Sequence, residues 1–175
     1  TAYTPFRFQN GQRRNDNIIS GATWVALDVD DSDVSIHEMH DMLDGINHHI
    51  CTTSDSANLF KFRVVVEFNN VVDLAPREWK AFGVAIGQEL GITVDPATFT
   101  KSQIMFGYKD SIVLSHTMGD PFDVSTCVKE AANKVAEAFT KKKAPTMSQK
   151  AAMKDNPMDT FGYAFNAEPG HGSLA

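Results

Sequence analysis

Long apolar runs are missing from this sequence. None approaches the roughly 20 residues that span a bilayer, and Thr1-Ala2-Tyr3-Thr4-Pro5-Phe6-Arg7 has no apolar core of the kind a secretion signal carries. We therefore expect no membrane partner and a cytoplasmic location. The chain begins at Thr1 without an initiator Met, as a processed chain or an excised fragment does. Cysteine is scarce: Cys51 and Cys127 stand alone, with no CxxC spacing, which disfavours a zinc ribbon and a disulfide framework. A surplus of positive charge is also lacking. Sixteen Lys and Arg against 22 Asp and Glu give −6, which argues against a protein held to polyanions by bulk charge. It leaves room for an enzyme whose basic residues are local, and Arg13-Arg14, Lys61 with Arg63, and Lys141-Lys142-Lys143 are such groups. The last reads as a solvated face. Tyrosines are few (Tyr3, Tyr108, Tyr163), none on a convincing helix, and His48-His49-Ile50 breaks a histidine-apolar-histidine pattern; both argue against a tyrosine-dependent nickase.

What is present is enough for one domain. A chain of 175 residues with 42% hydrophobic and 22% charged residues builds one real core, with no room for a second full domain. Residues 1–19 read as an extended lead-in with a turn at Asn10-Gly11. Strands are expected over about 20–29, 49–53 and 61–68, and shorter ones at 102–108 and 111–114. Ile36, Met39, Leu43 and Ile46 recur at helical spacing behind a cap at Ser32 or Asp33. His37 and His40 lie on this helix, and His48-His49 close it; their spacing matches no zinc site, so they read as helix-surface residues. A second helix opens at Leu74-Ala75-Pro76, carries Trp79, Phe82, Ile86 and Leu90 as a core stripe, and ends at Gly91. A third runs from about Val124 to Phe139, capped by Asp123 or Ser125, and 144–175 reads as a flexible tail or linker after a domain of residues 1–143.

The organising stretch is Thr23-Trp24-Val25-Ala26-Leu27-Asp28-Val29-Asp30-Asp31, an apolar strand ending in an acid, one residue, and a second acid. Residues two apart on a strand share a face, so Asp28 and Asp30 stand together. Adjacent carboxylates repel, and a hard divalent cation such as Mg²⁺ or Mn²⁺ relieves that repulsion. An acidic turn after the strand is the plainer alternative. On the strand of residues 61–68, Lys61 and Arg63 share one face with Val65, a placement that suits phosphate. Ile92-Thr93-Val94-Asp95 is a further apolar run ending in an acid. Strand, helix, strand, strand, helix, strand builds an α+β fold, an RRM-like mixed or antiparallel sheet with helices on one side. Three acids and two bases on its open face describe a two-metal nucleotidyl-transfer site.

With these residues in place, the chain over roughly 20–125 resembles the archaeo-eukaryotic primase superfamily, particularly the primase-polymerase catalytic domains of phages and plasmids. The resemblance rests on Asp28-Val29-Asp30, on Thr52-Thr53-Ser54-Asp55 leading into Lys61-Phe62-Arg63-Val64-Val65-Val66, and on Asp95-Pro96-Ala97-Thr98-Phe99 with Ser102-Gln103-Ile104-Met105-Phe106. It implies Asp28, Asp30 and Asp95 as catalytic metal ligands for Mg²⁺ or Mn²⁺. It also implies a nucleotide-binding set of Ser54, Asp55, Ser56, Lys61, Arg63 and Gln103. The family's serine-x-histidine motif has no histidine here, since Asp55 or Ser56 stands at that place, and Gln103 stands where relatives often carry arginine. His116, in Ser115-His116-Thr117, is the candidate substitute. The implied function is template-directed DNA synthesis, as primase or DNA polymerase, in phage or plasmid DNA replication. Its partners would be a single-stranded DNA template, nucleoside triphosphates and a replicative helicase, in the host cytoplasm if the chain is phage-encoded.

Three alternatives stand beside this reading. A catalytically degenerate primase-like domain would bind single-stranded DNA or a replication partner, in keeping with the missing histidine. An aspartyl-nucleophile phosphatase also opens on Asp-x-Asp, but expects Gly-Thr where Asp31-Ser32 stands. A sugar-nucleotide transferase needs a longer chain for its nucleotide-binding sheet.

Overall fold

Strict alternation along two strands decides the layering. In the segment 62–68, Phe62, Val64, Val66 and Phe68 are buried on one face, while Arg63, Val65 and Glu67 take the other. The partner strand does the same with Val25, Leu27 and Val29 inward. A computed structural model describes residues 2–30, 32–53 and 58–143, the last three as backbone only. By its internal contacts the chain divides into Thr1–Glu137 and Ala138–Ala175. The tail expected over 144–175 lies outside the described residues, as do the side chains of Lys141, Lys142 and Lys143.

The elements run β1 (Ala2–Tyr3), β2 (Ala22–Val29), α1 (Ile36–Met42), β3 (His48–Thr52), β4 (Phe62–Val72), α2 (Pro76–Glu89), β5 (Met105–Phe106), β6 (Val113–His116) and α3 (Ser125–Lys143). A four-stranded sheet has the order β2-β4-β3-β6, every neighbour antiparallel, and β1 pairs with β5 as a separate two-stranded ribbon. Ile36, Met39 and Leu43 from α1, Trp79, Phe82 and Ile86 from α2, and Cys127 and Ala131 from α3 join the inward sheet residues in one core. Each fully buried large side chain contributes about 1.5–3 kcal/mol of transfer free energy. The result is the α+β architecture expected, with one sheet face left for chemistry.

Several local expectations shift. The cap of α1 is Ser35, because its Oγ accepts from the Glu38 N–H (3.3 Å) while the Glu38 carboxylate accepts from the Ser35 N–H (2.7 Å). Ser32 is instead turned toward the β4 side, its N–H donating to the Phe60 carbonyl. His48 and His49 open β3 rather than closing α1. The run Ile92–Val94 forms no strand: the Ile92 N–H donates back to the Gly87 carbonyl (2.8 Å), tying it to the end of α2. The sheet is instead completed at its other edge by β6 against β3. The lead-in contributes β1, and Phe6 packs edge-on against Trp79 (4.8 Å). At Asn10-Gly11 both residues have positive φ (53° and 67°), as the turn signal there requires.

Candidate active site on the open sheet face

The register sets the open face out in rungs running across the strands. Asp28 of β2 lies directly opposite Arg63 of β4, and Arg63 opposite Cys51 of β3, which faces Val113 of β6. Two residues back along each strand, the next rung is Ala26, Val65, His49 and Ser115. Two further back come Trp24 and Glu67, continued by Asn47, whose carbonyl accepts from the Glu67 N–H and whose amide donates to the Glu67 carboxylate (3.1 Å). In the other direction, Asp30 meets Lys61, with Thr53 tied to Lys61 through the backbone. Acid and base thus face each other on two successive rungs.

The inner pair is the tighter. Arg63 Nε donates to Asp28 Oδ1 at 2.5 Å, with side chains only 10% and 22% exposed. A second guanidinium nitrogen donates to the Tyr3 hydroxyl (3.1 Å) and to the Phe106 carbonyl (3.2 Å), so the β1–β5 ribbon clasps Arg63 from above. Burial works against the Arg63 charge, but the hydrogen bonds to Asp28 and Tyr3 outweigh it and raise its pKa. Burial also raises the pKa of Tyr3, and Cys51 beside it, more than neighbouring Arg63 lowers them. The outer pair, Lys61 Nζ to Asp30 Oδ1 at 2.8 Å, is open to solvent, its side chains 39% and 52% exposed.

The other residues singled out by sequence sit elsewhere. Asp95 caps the short 3-10 helix Pro96–Thr98, accepting from the Ala97 N–H (2.8 Å), and is exposed. Among the described residues no three of His, Cys, Asp and Glu gather as a metal cage, so Asp95 does not close a triad with Asp28 and Asp30. Gln103 is exposed, its side-chain amide directed to the neighbouring Ile104 carbonyl (3.4 Å). His116 lies in register with His48, on the helix side of the sheet, and stacks on the His48 ring (5.9 Å). It is therefore not beside Arg63. Ser54, Asp55 and Ser56 lie outside the described residues.

Sequence reasoning did not find Tyr3, the Phe106 carbonyl or Cys51 as neighbours of Arg63. The alternation Ala2-Tyr3-Thr4 was the only signal, and a two-residue strand is too short to read. It also took His40 and His48 for surface residues. His48 is buried, donates from Nδ1 to the Ile46 carbonyl (2.7 Å) and accepts at Nε2 from His40 Nδ1 (2.8 Å).

The donor set suits one hard cation. Asp28 and Asp30 stand two residues apart on one face, with Arg63 and Lys61 occupying the positions where positive charge is wanted. Mg²⁺ is commonly held by one or two carboxylates with the remainder from phosphate and water oxygens, so the pair fits that role without forming a cage.

Two solved structures are similar to this chain. One is the AEP domain of the cyanophage S-2L primase-polymerase, with TM-score 0.45 and 12% identity over 69% of this chain and 65% of that one. The other is the primase RepB′, with TM-score 0.47 and 14% identity over 80% of this chain and 48% of that one. The chain spans just under two thirds of the first and about half of the second. No family model matches the sequence, and no curated protein does. Neither likeness gives any residue a role.

Proposed function

We propose that the open sheet face carries template-directed nucleotidyl transfer, the chemistry of a DNA primase or primase-polymerase. The observation that supports it is the doubled rung, Asp28 against Arg63 and Asp30 against Lys61, on one face of a sheet whose other face is a core. Asp28 and Asp30 would hold Mg²⁺ or Mn²⁺; when bound, the ion neutralises the triphosphate and makes a 3′-hydroxyl easier to deprotonate. Lys61, on the outer and more exposed rung, is placed to meet the outer phosphates. Arg63 keeps Asp28 oriented and supplies fixed positive charge behind the α-phosphate, so that little reorganisation is needed as charge builds. In-line attack of the hydroxyl oxygen forms the new P–O bond as the bond to pyrophosphate breaks. Asp95, expected as a third ligand, is not grouped with this pair among the described residues, so the scheme rests on Asp28 and Asp30. Single-stranded DNA is the proposed template, and a helicase is a proposed partner in phage or plasmid replication.

One observation favours the second reading, a degenerate domain that binds single-stranded DNA or a replication partner without synthesis. The Arg63 guanidinium is engaged by Asp28, Tyr3 and the Phe106 carbonyl on two of its three nitrogens, leaving less of it for phosphate.

Extension of a labelled primer on a DNA template, with Mn²⁺ or Mg²⁺ and nucleoside triphosphates, separates the two. The chain is expected to extend the primer, and Asp28→Asn with Asp30→Asn to lower the rate by at least about 10²-fold. Asp95→Asn should extend at close to the parent's rate, and a loss as large as the double variant's would bring Asp95 into the site. Equal synthesis by the double variant and the parent would refute the assignment.

A further inference from the structure

Four residues up β2 from Asp28, roughly 13 Å along the strand, the same face holds a groove of about 320 Å³. Trp24 and Glu67 are its cross-strand rung, Val65 and His49 belong to the next, and Asn47 and Thr117 close the end, where His48 and His116 also reach it. None of its lining residues is Lys or Arg, unlike the rungs beside Asp28 and Asp30, so it is not built for phosphate. Trp24 is half-buried with its ring 6.0 Å from Tyr3, which holds the indole from the side toward Arg63. Val65 gives an apolar surface next to it. The acceptor at the Trp24 rung is the Glu67 carboxylate, which already takes one hydrogen bond from the Asn47 amide. A carboxylate accepts several hydrogen bonds, so Glu67 can take donors from a ligand beside the Asn47 amide.

We infer that this groove is a nucleobase subsite for single-stranded nucleic acid, stacking one base on Trp24 and reading its donor edge at Glu67. A flat ring suits the indole, and a donor-rich edge suits the Glu67 carboxylate. Guanine presents a ring N–H and an amino group side by side and so satisfies a carboxylate twice; inosine keeps only the ring N–H, and adenine only the amino group. The subsite lies on the same face as the proposed catalytic rungs and rests on the reading that this face handles nucleic acid. A base held there would belong to a strand crossing β2 and β4 toward Asp28.

The test is tryptophan fluorescence of the full chain, in chelator and without nucleoside triphosphate, at fixed salt. The chain has two tryptophans, and Trp79 is 2% exposed in the core, so quenching by a ligand reports Trp24. The probes are short thymidine strands with one central deoxyguanosine, deoxyadenosine or deoxyinosine. The guanine strand is expected to quench and to bind at least about fivefold tighter than the other two. Read by the anisotropy of a fluorescently labelled guanine strand, Trp24→Leu should weaken binding about tenfold or more, and Glu67→Gln should abolish the preference for guanine over inosine. Because the titration uses neither metal nor nucleoside triphosphate, failure of the catalytic reading leaves this result untouched. No quenching by any strand, parent-like binding by Trp24→Leu, equal binding of all three strands, or quenching by an arginine-rich peptide alone would overturn the inference.

Discussion

Arg63 commits its guanidinium to Asp28, the Tyr3 hydroxyl and the Phe106 carbonyl, and that commitment fixes what its loss does. Removing one member of a mostly covered ion pair leaves the other charge without compensation, which costs more than the pair itself contributes. Arg63→Met should therefore lower stability by about 3 kcal/mol, read as a fall in the urea midpoint, and adding Asp28→Asn should restore more than half of it. A parent-like midpoint for Arg63→Met would show that the clasp contributes nothing. The Lys61–Asp30 pair behaves differently. Both side chains are more than a third exposed, and solvent screening leaves such a pair worth only about 0–1 kcal/mol. Lys61→Met should leave the urea midpoint nearly unchanged while weakening triphosphate binding in a calorimetric titration.

Among the elements, the contact of α1 with β3 carries a pH dependence. His48 accepts from His40 at one nitrogen and donates to the Ile46 carbonyl from the other, with the His116 ring stacked beside it. Burial lowers the His48 pKa more than the Ile46 hydrogen bond raises it, and the neighbouring histidines lower it further. With its folded pKa below the unfolded value of about 6.5, the unfolded chain takes up the proton first. The stabilising contribution is thus present above that value and is lost as pH falls through the folded pKa. The urea midpoint should fall between pH 7 and pH 5, and His48→Asn should flatten that slope; an unchanged slope in the variant would place the titration elsewhere. Asp123 and Glu38, held low mainly by hydrogen bonds from Ser125 and from Ser35, titrate below this window. On α2, Gly83 and Gly87 admit the ring of Phe99 and the side chain of Val94 against the helix backbone. Gly83→Ala meets Phe99 directly and should cost about 1–3 kcal/mol by overpacking, again read from urea unfolding.

At the scale of the molecule, alternation and helical stripes carried most of the architecture. Phe62, Val64 and Val66 against Arg63 and Val65 gave β4 its two faces, and Trp79, Phe82 and Ile86 gave α2 its buried side, because both patterns are local. The pairing of Asp28 with Arg63 follows from the same logic, since two strands that each bury one face must align their remaining ones. What the sequence could not disclose was long-range. β6 lies at the β3 edge after a long excursion through residues 99–112, and the edge it joins depends on chain tracing rather than composition. The expected meeting of Asp95 with the other acids assumed a strand at Ile92–Val94, which the backbone bond to Gly87 replaces with a turn back onto α2. The clasp by β1 and β5 was invisible for the same reason: two residues on each side carry too little pattern.

Manganese binding tests the central claim most directly, that Asp28 and Asp30 together hold a divalent ion against a nucleotide. Mn²⁺ is titrated into the chain in the presence of a nucleoside triphosphate, and free ion is followed by electron paramagnetic resonance. The account predicts that the parent removes Mn²⁺ from solution beyond what the nucleotide alone binds, and that Asp28→Asn with Asp30→Asn does not. Equal uptake by the parent and the double variant, with both folded by circular dichroism, would contradict it.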